Sequence, residues 1–279
     1  MRWPPYQHVF FDCDSTLTSV EGINVLAESA GKGWRVKVLT EAAMNGEIEL
    51  EGIYGKRLKT LNATRGQVRA IREAYKANIV PDSACVIEAL QALGHQIYIV
   101  SGGLAEPVIE FGLHLSIPRQ NIHAVNVEYD QLSGQWWQSD DHQPNVDVRY
   151  LAYTQETLTL SKGKIDIIRE VLAGTSGKSL LIGDGISDLM ASTAVDLFVG
   201  FGGVTTRSQV RNNSPLFIRS ESMAPLLSIA AGPASLKLLG GTPYQEVSER
   251  SLQMVADGAI TFRDEQLKEK FELAISRTH

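Results

Sequence analysis

Short runs of hydrophobic residues alternate along this chain with longer segments in which hydrophobic residues recur every three or four positions. The short runs predict buried strands at residues 9–12, 96–100, 179–182 and 197–199, with a weaker strand at 216–218. The longer segments predict helices between them, and Gly94 and Gly174 stand where glycine commonly ends a helix. Because strands that alternate with helices are typical of an α/β fold, we expect a doubly wound, Rossmann-like sheet whose strands are mainly parallel.

The pattern changes between Ser15 and Val80, where helical segments follow one another without a convincing strand. The predicted helices are 23–29, 35–44, 50–61 and 64–78. Thr64 and Gln67 have the spacing of a capping box, which gives the last of these helices a definite start. This segment is therefore expected to form a small helical cap inserted after the first strand.

Two further segments depart from the alternation of strand and helix. Residues 122–138 alternate in character around a Ser-Gly pair, which predicts a hairpin. From about Gly232 the rhythm stops, and two helical, charge-mixed segments follow at 244–256 and 264–276. The chain is then expected to divide into an α/β core at 1–14 and 81–231, the cap at 15–80, and a helical C-terminal extension of unknown role at 232–279.

Composition limits the chemistry that such a fold would carry. With 279 residues and 43% hydrophobic content, the chain can bury a substantial core. Its 26 basic and 32 acidic residues give a net charge of −6, and no basic block or basic helix indicates nucleic acid or an anionic membrane as a partner. An anionic substrate would therefore need local positive charge, from a metal ion or from individual lysine and arginine residues.

The cysteines and the N-terminus are typical of a reducing compartment. Cys13 and Cys85 are too few for a disulfide framework and lack zinc-ligand spacing, and Cys13 is expected to pack in a strand. The N-terminus lacks the apolar region of a signal peptide, and no hydrophobic stretch approaches membrane-spanning length. We expect a cytoplasmic protein that binds neither nucleic acid nor membrane, and a homodimer stays open as an alternative to a monomer.

Two carboxylates end the first predicted strand. Asp12 and Asp14 are one residue apart, so in an extended chain they share one face at the point where the strand stops. An isolated Asp-x-Asp is about as often a turn or a helix cap as it is part of a functional site. Here, however, Asp12 ends a hydrophobic run, where a buried carboxylate is costly unless a cation or several hydrogen-bond donors lie beside it. The pair therefore indicates a site with chemistry.

A small polar motif follows the second strand. Ser101-Gly102-Gly103 comes directly after residues 96–100 and before a predicted helix. A hydroxyl and glycine amides would converge there on an anion, because the unpaired N–H groups and the dipole of a helix start point to the same place. As an isolated motif, Ser-Gly-Gly is more often a plain turn from strand to helix.

Two motifs flank the third strand. Lys162 precedes the helix predicted at 164–172, where the helix dipole disfavours a cation. Such a lysine would gain a purpose if it reached a phosphate or a carboxylate, although most lysines at a helix start are solvated. The sequence Gly183-Asp184-Gly185-Ile186-Ser187-Asp188 follows the strand at 179–182, and Asp188 lies one turn into a helix, where it could orient a ligand or a lysine.

In this order the motifs resemble the four signature motifs of the haloacid dehalogenase superfamily of aspartate-nucleophile phosphatases. The residues that carry the resemblance are Asp12-Cys13-Asp14-Ser15-Thr16, Ser101-Gly102-Gly103, Lys162 and Gly183-Asp184-Gly185-x-x-Asp188. Within that superfamily the chain is most similar to the phosphoserine phosphatases, through Glu21, Met44, Arg57 and Val199-Gly200-Phe201-Gly202-Gly203. The similarity spans about residues 9–218 and offers no role for the C-terminal segment.

The resemblance implies a mechanism of phosphomonoester hydrolysis. Asp12 would attack phosphorus and form an aspartyl-phosphate, while Asp14 would serve as general acid and then as general base. Mg²⁺ would be held by Asp12, Asp184 and the Asp14 backbone carbonyl, because oxygen donors suit this cation. The phosphate would be held by Ser101, Lys162 and the amides of Gly102 and Gly103, with Ser187 near it and Asp188 supporting the lysine or a metal-bound water.

The resemblance also implies that the cap selects the substrate. Glu21 and Arg57 match the positions that would hold the ammonium and carboxylate groups of phosphoserine, and Arg can grip a carboxylate through two parallel hydrogen bonds. Met44 would line the same pocket. Taken without the resemblance, most Glu and Arg residues are surface groups and a Met in a cap is a core residue.

Three alternatives to a phosphoserine phosphatase stay open at this point. The same core chemistry would serve a phosphosugar, phosphohomoserine or phospho-alcohol, since it is indifferent to what the phosphate is attached to. Carbon–halogen hydrolysis would leave Asp14 without a task, because halide departs without a proton. A non-catalytic binding protein on this fold would not need the complete set of carboxylates and lysine.

Overall fold

The computed structural model describes residues 3–34, 36, 38, 50–133, 146–153, 157–160 and 162–276. Within them, the strands are β1 (His8–Phe11), β2 (Gln96–Leu104), β3 (Ile122–Val125), β4 (Val127–Asp130), β5 (Arg149–Tyr153), β6 (Ser179–Gly183), β7 (Leu197–Phe201), β8 (Leu216–Ile218) and β9 (Ile260–Phe262). The helices are α1 (Gly22–Ser29), α2 (Leu50–Leu61), α3 (Arg65–Ala77), α4 (Ser83–Ala92), α5 (Ala105–His114), α6 (Gly163–Leu172), α7 (Ile186–Ala191), α8 (Ser208–Asn213), α9 (Pro225–Ala231), α10 (Gln245–Ala256) and α11 (Glu265–Ser276). Among the described residues, no helix is long and apolar enough to cross a membrane.

Seven strands form one sheet in the order β3-β2-β1-β6-β7-β8-β9. The first six are parallel to their neighbours, and β9 alone pairs antiparallel, with β8. The predicted strands are all present, and β1 is buried along its whole length, as its uninterrupted hydrophobic run requires. The sheet confirms the expected doubly wound α/β fold.

The chain reverses its direction of winding at β1, which lies between β2 and β6. From β1 it proceeds outward through β2 and β3, and it then returns to the other side of β1 to build β6, β7 and β8. In open α/β sheets the crevice at such a reversal, outside the carboxyl ends of the strands, is where ligands bind. The motifs that follow β1, β2 and β6 all lie at this edge.

The segment between β1 and α4 contains α1, α2 and α3, and the structure contains a helix wherever the sequence predicts one among the described residues of this segment. Thr64 and Gln67 form the predicted capping box at the start of α3: the Gln67 N–H donates to the Thr64 hydroxyl at 3.2 Å, and the Thr64 N–H donates to Gln67 Oε1 at 3.0 Å. The helix predicted at 35–44 falls largely outside the described residues.

Helix α3 of this segment packs against helix α5, which follows β2. Arginines on α3 face glutamates on α5: Arg65 Nε lies 2.8 Å from Glu106, and Arg72 lies 2.5 Å from Glu110. Each of these side chains is between a quarter and a third exposed. These partly solvated ion pairs join the cap to the core along one face.

The hairpin predicted at 122–138 is wrong. Ile122–Val125 is instead the edge strand β3 of the main sheet, parallel to β2, and Val127–Asp130 pairs antiparallel with Arg149–Tyr153. Alternation of polar and hydrophobic residues identified the extended backbone but not its partner, because both arrangements bury one face of the strand. Trp136 and Trp137, which belong to this segment, lie outside the described residues.

The C-terminal segment is more than a helical addition. Its two predicted helices are present as α10 and α11, but between them Ile260–Phe262 adds a strand to the main sheet. Helix α11 also covers the N-terminus: the rings of Phe271 and Trp3 are 4.7 Å apart and both are buried. The last strand of the sheet and part of the hydrophobic core therefore come from a segment that the sequence marked as separate.

Asp82 is the N-cap residue of α4, but its side chain makes no capping hydrogen bond. It accepts hydrogen bonds from Ser222 at 2.6 Å and from Arg250 of α10 at 2.8 Å. The backbone of Asp82 is left-handed, with φ of 65°. This residue thus connects the end of the cap segment to the C-terminal helices.

Candidate active site

Asp12 lies at the carboxyl end of β1 and forms a buried ion pair with Lys164. Its backbone N–H still pairs with Ile182 O of β6 at 3.0 Å, which fixes the residue at the sheet edge. Lys164 Nζ lies 2.5 Å from Asp12 Oδ1 and 2.6 Å from Asp188 Oδ1, and all three side chains are at most 7% exposed. One ammonium thus bridges two carboxylates inside the site.

The lysine in the site is Lys164, which corrects the assignment to Lys162. Helix α6 begins at Gly163, and Lys162 is its N-cap residue with an exposed side chain. Gly163 packs tightly on the preceding turn, since a Cβ there would lie 1.8 Å from Thr157 O. This packing sets the rotation of the first turn, which directs Lys164 toward Asp12. The sequence could not distinguish two lysines that flank one glycine.

Asp188 is held by a second contact besides the lysine. The Gly185 N–H donates to its Oδ2 at 3.1 Å, and α7 starts at this point. Gly183 is required here, because a Cβ at that position would lie 2.3 Å from the Asp188 carboxyl carbon. The two glycines of the motif therefore allow Asp188 to fold back under the end of β6. Ser187, next to it, is half-buried.

Asp184 is fully buried at the end of β6 and pairs with Arg207, a residue that no sequence motif indicates. Arg207 Nε donates to Asp184 Oδ2 at 3.0 Å, and the Arg207 side chain is 8% exposed. The Thr16 hydroxyl lies 3.4 Å from Asp184 Oδ1. Arg207 lies in the connection between β7 and α8, so it comes from the strand adjacent to β6.

Asp14 lies where the chain leaves β1 for the cap. The turn is formed by Leu17 N–H donating to Cys13 O at 2.9 Å, with Ser15 in the left-handed region at φ of 55°. Asp14 is buried, and its Oδ1 accepts hydrogen bonds from the Tyr75 hydroxyl at 2.6 Å and from the Gly22 N–H at 3.2 Å. Cys13 is buried, but it follows β1, which ends at Phe11, instead of packing within the strand as predicted.

Ser101 and the two glycines after it lie beside Asp14. Strand β2 continues through this motif to Leu104, with a register shift against β3, so the motif is part of a longer strand than predicted. The Gly103 N–H donates to the buried Ser101 hydroxyl at 3.0 Å. A Cβ on Gly103 would lie 3.3 Å from Asp14 Oδ2, so glycine lets this segment approach the acid closely. At Gly102 the corresponding space is open.

Glu21 and Arg57 face the site from the cap. Glu21 accepts a 2.6 Å hydrogen bond from Ser15 and lies 3.8 Å from Arg207, and its side chain is 12% exposed. Arg57 of α2 is buried, and its positive charge acts on Glu21. Two of the three residues predicted for substrate selection therefore lie close together, whereas Met44 falls outside the described residues.

Burial and mutual repulsion raise the pKa of the carboxyl groups. Burial, followed by the charge of Glu21, raises the pKa of Asp14 to about 8, although the hydrogen bonds from Tyr75 and Gly22 act in the opposite direction. Burial and the charge of Asp12 raise the pKa of Asp188 to about 6. Asp14 is therefore largely protonated at neutral pH, as a general acid must be.

The remaining groups show the same excess of negative charge. Burial raises the pKa of Glu21 and of Asp184, in each case against the opposing charge of Arg207. For Lys164, burial lowers the pKa, but the charges of Asp12 and Asp188 outweigh it and raise the pKa above its ordinary value. The lysine is thus held in its charged form.

The buried carboxylates fit a divalent cation. Asp12, Asp184 and Asp188 each offer an oxygen, and these oxygens lie within 4.8 Å of one another. A donor set made only of oxygen suits Mg²⁺ rather than zinc or copper. Burial, followed by the charge of Glu21, raises the pKa of Asp184, and a further cation beside this carboxylate would offset that cost. Both oxygens of Asp188 are engaged, by Lys164 at 2.6 Å and by the Gly185 N–H at 3.1 Å, whereas the contact of Asp12 with Lys164 is made through Oδ1.

Three residues of the site escaped prediction from sequence: Lys164, Arg207 and Tyr75. Lys164 is two positions from the predicted lysine and was missed because helix rotation is not visible in the sequence. Arg207 follows the glycines at the end of β7, and its position after a core strand was the signal that could have identified it. Tyr75 is one of several hydrophobic residues along α3, and nothing in that pattern marks its hydroxyl.

Comparison with known proteins identifies the family of this chain. A family model described as haloacid dehalogenase-like hydrolase matches residues 6–196. The chain is 31% identical to phosphoserine phosphatase from Drosophila melanogaster over 76% of this chain and 74% of that protein, and 29% identical to the Homo sapiens phosphoserine phosphatase over 75% and 88%. The crystal structure of a phosphoserine phosphohydrolase-like protein from Francisella tularensis superposes with a TM-score of 0.65 at 23% identity, covering 77% of this chain and 95% of that one, and so shares the fold. The chain belongs to the family of haloacid dehalogenase-like hydrolases.

Proposed function

We propose that this hydrolase is a Mg²⁺-dependent phosphatase that converts O-phosphoserine to serine and phosphate. The observation that carries the proposal is the pair of buried carboxyl groups at the end of β1, in which Asp12 is ion-paired with Lys164 while Asp14 has a pKa of about 8. Asp12 lies beside a fixed ammonium and is placed to act as the nucleophile, while Asp14 is largely protonated and able to act as an acid. Different environments of two neighbouring carboxyl groups are the usual basis for assigning these two roles.

The first chemical step transfers the phosphoryl group to Asp12. A carboxylate oxygen of Asp12 forms a bond to phosphorus while the bond from phosphorus to the serine oxygen breaks. The electron pair of that bond stays on the serine oxygen, which takes the proton of Asp14. The second step reverses the role of Asp14, which removes a proton from the water that hydrolyses the aspartyl-phosphate.

Positive charge must balance the anionic phosphate in both steps. When bound, Mg²⁺ would supply Lewis-acid stabilisation of the phosphoryl oxygens, and Asp12, Asp184 and the Asp14 backbone carbonyl are the groups that would hold it. Lys164 adds a fixed ammonium, which lies 2.5 Å from Asp12 Oδ1. Asp188 keeps that ammonium in place through a 2.6 Å contact.

The phosphate oxygens would be held by Ser101 and by backbone amides of its motif. Ser101 is buried beside Asp14, and the open space at Gly102 allows a ligand to approach the backbone closely. Ser187, half-buried at the start of α7, faces the same edge of the sheet and is proposed to contact the phosphate. Lys162 has no proposed role in this arrangement, because Lys164 makes the contact expected of it.

The amino acid portion of the substrate carries one positive and one negative charge. The Glu21 carboxylate is placed to bind the ammonium, and the guanidinium groups of Arg57 and Arg207 are placed to bind the carboxylate. All three are largely withdrawn from solvent, where ionic recognition is strongest and most selective. Met44 is proposed to line this pocket.

The proposal is tested by steady-state hydrolysis of a panel of phosphomonoesters with and without Mg²⁺. We expect the highest kcat/KM for O-phosphoserine, and little activity after chelation of the metal. Arg57→Ala should raise KM for O-phosphoserine while leaving a simple alkyl phosphate unaffected, since that substrate lacks a carboxylate. Faster turnover of phosphohomoserine, a phosphosugar or a phospho-alcohol would reject phosphoserine as the preferred substrate. A lack of turnover of every ester would reject the proposal that this protein is a phosphatase.

A further inference from the structure

A tyrosine of the cap contacts the acid of the proposed reaction. Tyr75 lies on α3, is fully buried, and donates its hydroxyl to Asp14 Oδ1 at 2.6 Å. Its ring is fixed by Phe111 of the core helix α5, with ring centroids 5.4 Å apart. A hydrophobic position on an amphipathic helix needs no hydroxyl to pack, so the hydroxyl calls for a separate explanation.

The backbone around Asp14 is built to admit this hydroxyl. Gly22, the first residue of α1, faces Tyr75 so closely that a Cβ there would lie 2.2 Å from the tyrosine oxygen. The Gly22 N–H also donates to Asp14 Oδ1, at 3.2 Å. Two donors from two helices of the cap therefore converge on the same carboxyl oxygen.

The second oxygen of Asp14 points in a different direction. A Cβ on Gly103 would lie 3.3 Å from Asp14 Oδ2, so this oxygen faces the Ser101-Gly102-Gly103 segment. That segment is the one proposed to hold the phosphate. Because Oδ1 accepts two hydrogen bonds, a proton on this carboxyl is carried by Oδ2.

We propose that Tyr75 is a positioning residue that orients Asp14, so that Oδ2 delivers the proton to the leaving oxygen. The inference rests on the proposed function, in which the proton leaves Oδ2 as the bond from phosphorus to the substrate oxygen breaks. Gly22 has the complementary role of providing space for the tyrosine hydroxyl. Orientation of the acid therefore depends on α1 and α3 being seated against the core.

The experiment compares two substrates whose leaving groups differ in their need for a proton. The serine alkoxide is a poor leaving group and requires the acid, whereas p-nitrophenolate departs without one. The kcat/KM value reports the steps up to loss of the leaving group. For Tyr75→Phe, which retains the ring, we expect kcat/KM for O-phosphoserine to fall by about tenfold or more and that for p-nitrophenyl phosphate to change by less than about twofold.

Two further variants separate orientation from general damage to the cap. Gly22→Ala should reproduce the selective loss, because the added methyl group displaces the tyrosine hydroxyl. Arg72→Gln, which removes a partly exposed ion pair between α3 and α5, should leave both substrates at wild-type rates. Thermal unfolding of each variant shows whether the fold is retained, and if Tyr75→Phe fails to fold, the selectivity of Gly22→Ala decides the matter.

Equal losses on the two substrates, or no loss on O-phosphoserine, would overturn the positioning role. A failure of the proposed function gives a different result, since the wild-type protein would then hydrolyse p-nitrophenyl phosphate but not O-phosphoserine. In that case the comparison is made between the aryl ester and whichever alkyl phosphate the wild type hydrolyses, and the same selectivity is expected.

Discussion

Two sets of ion pairs join different parts of this molecule, and they differ in how far they are withdrawn from water. In the site, Lys164 contacts Asp12 and Asp188, and these side chains are at most 7% exposed. Between cap and core, Arg72 contacts Glu110 at a similar distance, but both side chains are about one-third exposed. Both sets join a cationic to a carboxylate side chain, and they differ in exposure to water.

The difference in exposure determines what each set contributes. A partly exposed pair is screened by water and salt and typically contributes about 0–1 kcal/mol. Removal of one partner of a buried pair leaves an uncompensated charge, at a cost of about 3–5 kcal/mol. The site therefore contains buried charges that a metal ion or a substrate can balance. The pairs between α3 and α5 contribute little to stability.

The largest effect is expected from removal of the buried lysine. Lys164→Ala should lower kcat by a factor on the order of 100 or more, because both the nucleophile and the phosphate lose a fixed positive charge. Lys162→Ala should have a much smaller effect, since its side chain is exposed at the start of α6. Steady-state kinetics of the two variants make the comparison. The opposite ranking would show that Lys162 enters the site and that the helix start differs from the one described above.

The second effect concerns the arginine that neutralises Asp184. Arg207→Ala should lower the free energy of unfolding of the metal-free protein by about 3–5 kcal/mol, since it removes the cationic partner of a buried carboxylate. Saturating Mg²⁺ should recover a larger share of stability in the variant than in the wild type, as the cation replaces the lost charge. Urea denaturation with and without the metal measures this. Equal metal stabilisation in both proteins would contradict the placement of Asp184 in the metal site.

The third effect is a loss of stability as pH rises. The pKa values of Asp14, about 8, and Asp188, about 6, lie above those of the unfolded chain, so the native state retains protons that the unfolded state has lost. The free energy of unfolding of the metal-free protein should therefore be highest at about pH 4 and decline as pH rises toward 8.

The Asp14→Asn variant isolates one part of this dependence. Between about pH 6 and 8 a single retained proton gives a slope near 1.4 kcal/mol per pH unit, and the substitution should remove it. Asp166→Asn, on the exposed face of α6, is the matched control and should leave the slope unchanged. A wild-type protein whose stability rises over this range would refute the raised pKa of Asp14.

The smallest effect belongs to the pairs between cap and core. A double-mutant cycle on Arg72 and Glu110 should give a coupling free energy of about 0.5 kcal/mol that decreases as salt is added. Denaturation at low and high ionic strength provides the measurement. A coupling above about 2 kcal/mol that resists salt would mean that these side chains are as well shielded as those of the site, and the contrast would disappear.

The sequence predicts most of this architecture because hydrophobic periodicity and glycine-bounded polar motifs are local signals. Strands β1 and β6, and the capping box at Thr64, are all visible in short windows of sequence. Strand partners are not local, which explains why Ile122–Val125 was assigned to a hairpin and why Ile260–Phe262 was overlooked.

The site shows the same division between local and non-local information. Asp12, Asp14 and Asp184 were identified because each directly follows a core strand. The identity of the buried lysine depends on the rotation of α6, and the contact between Tyr75 and Asp14 joins residues 61 positions apart. Neither feature is encoded in a motif, so both required the packed structure.

Trapping of the phosphorylated intermediate tests whether Asp12 becomes phosphorylated during turnover. Enzyme mixed with O-phosphoserine and Mg²⁺ is quenched in acid within one turnover, digested, and mapped by mass spectrometry. We predict a hydroxylamine-sensitive phosphoryl group on the peptide that contains Asp12, and none in the Asp12→Asn variant. A phosphoryl group on another residue, or undiminished turnover by Asp12→Asn, would contradict the account.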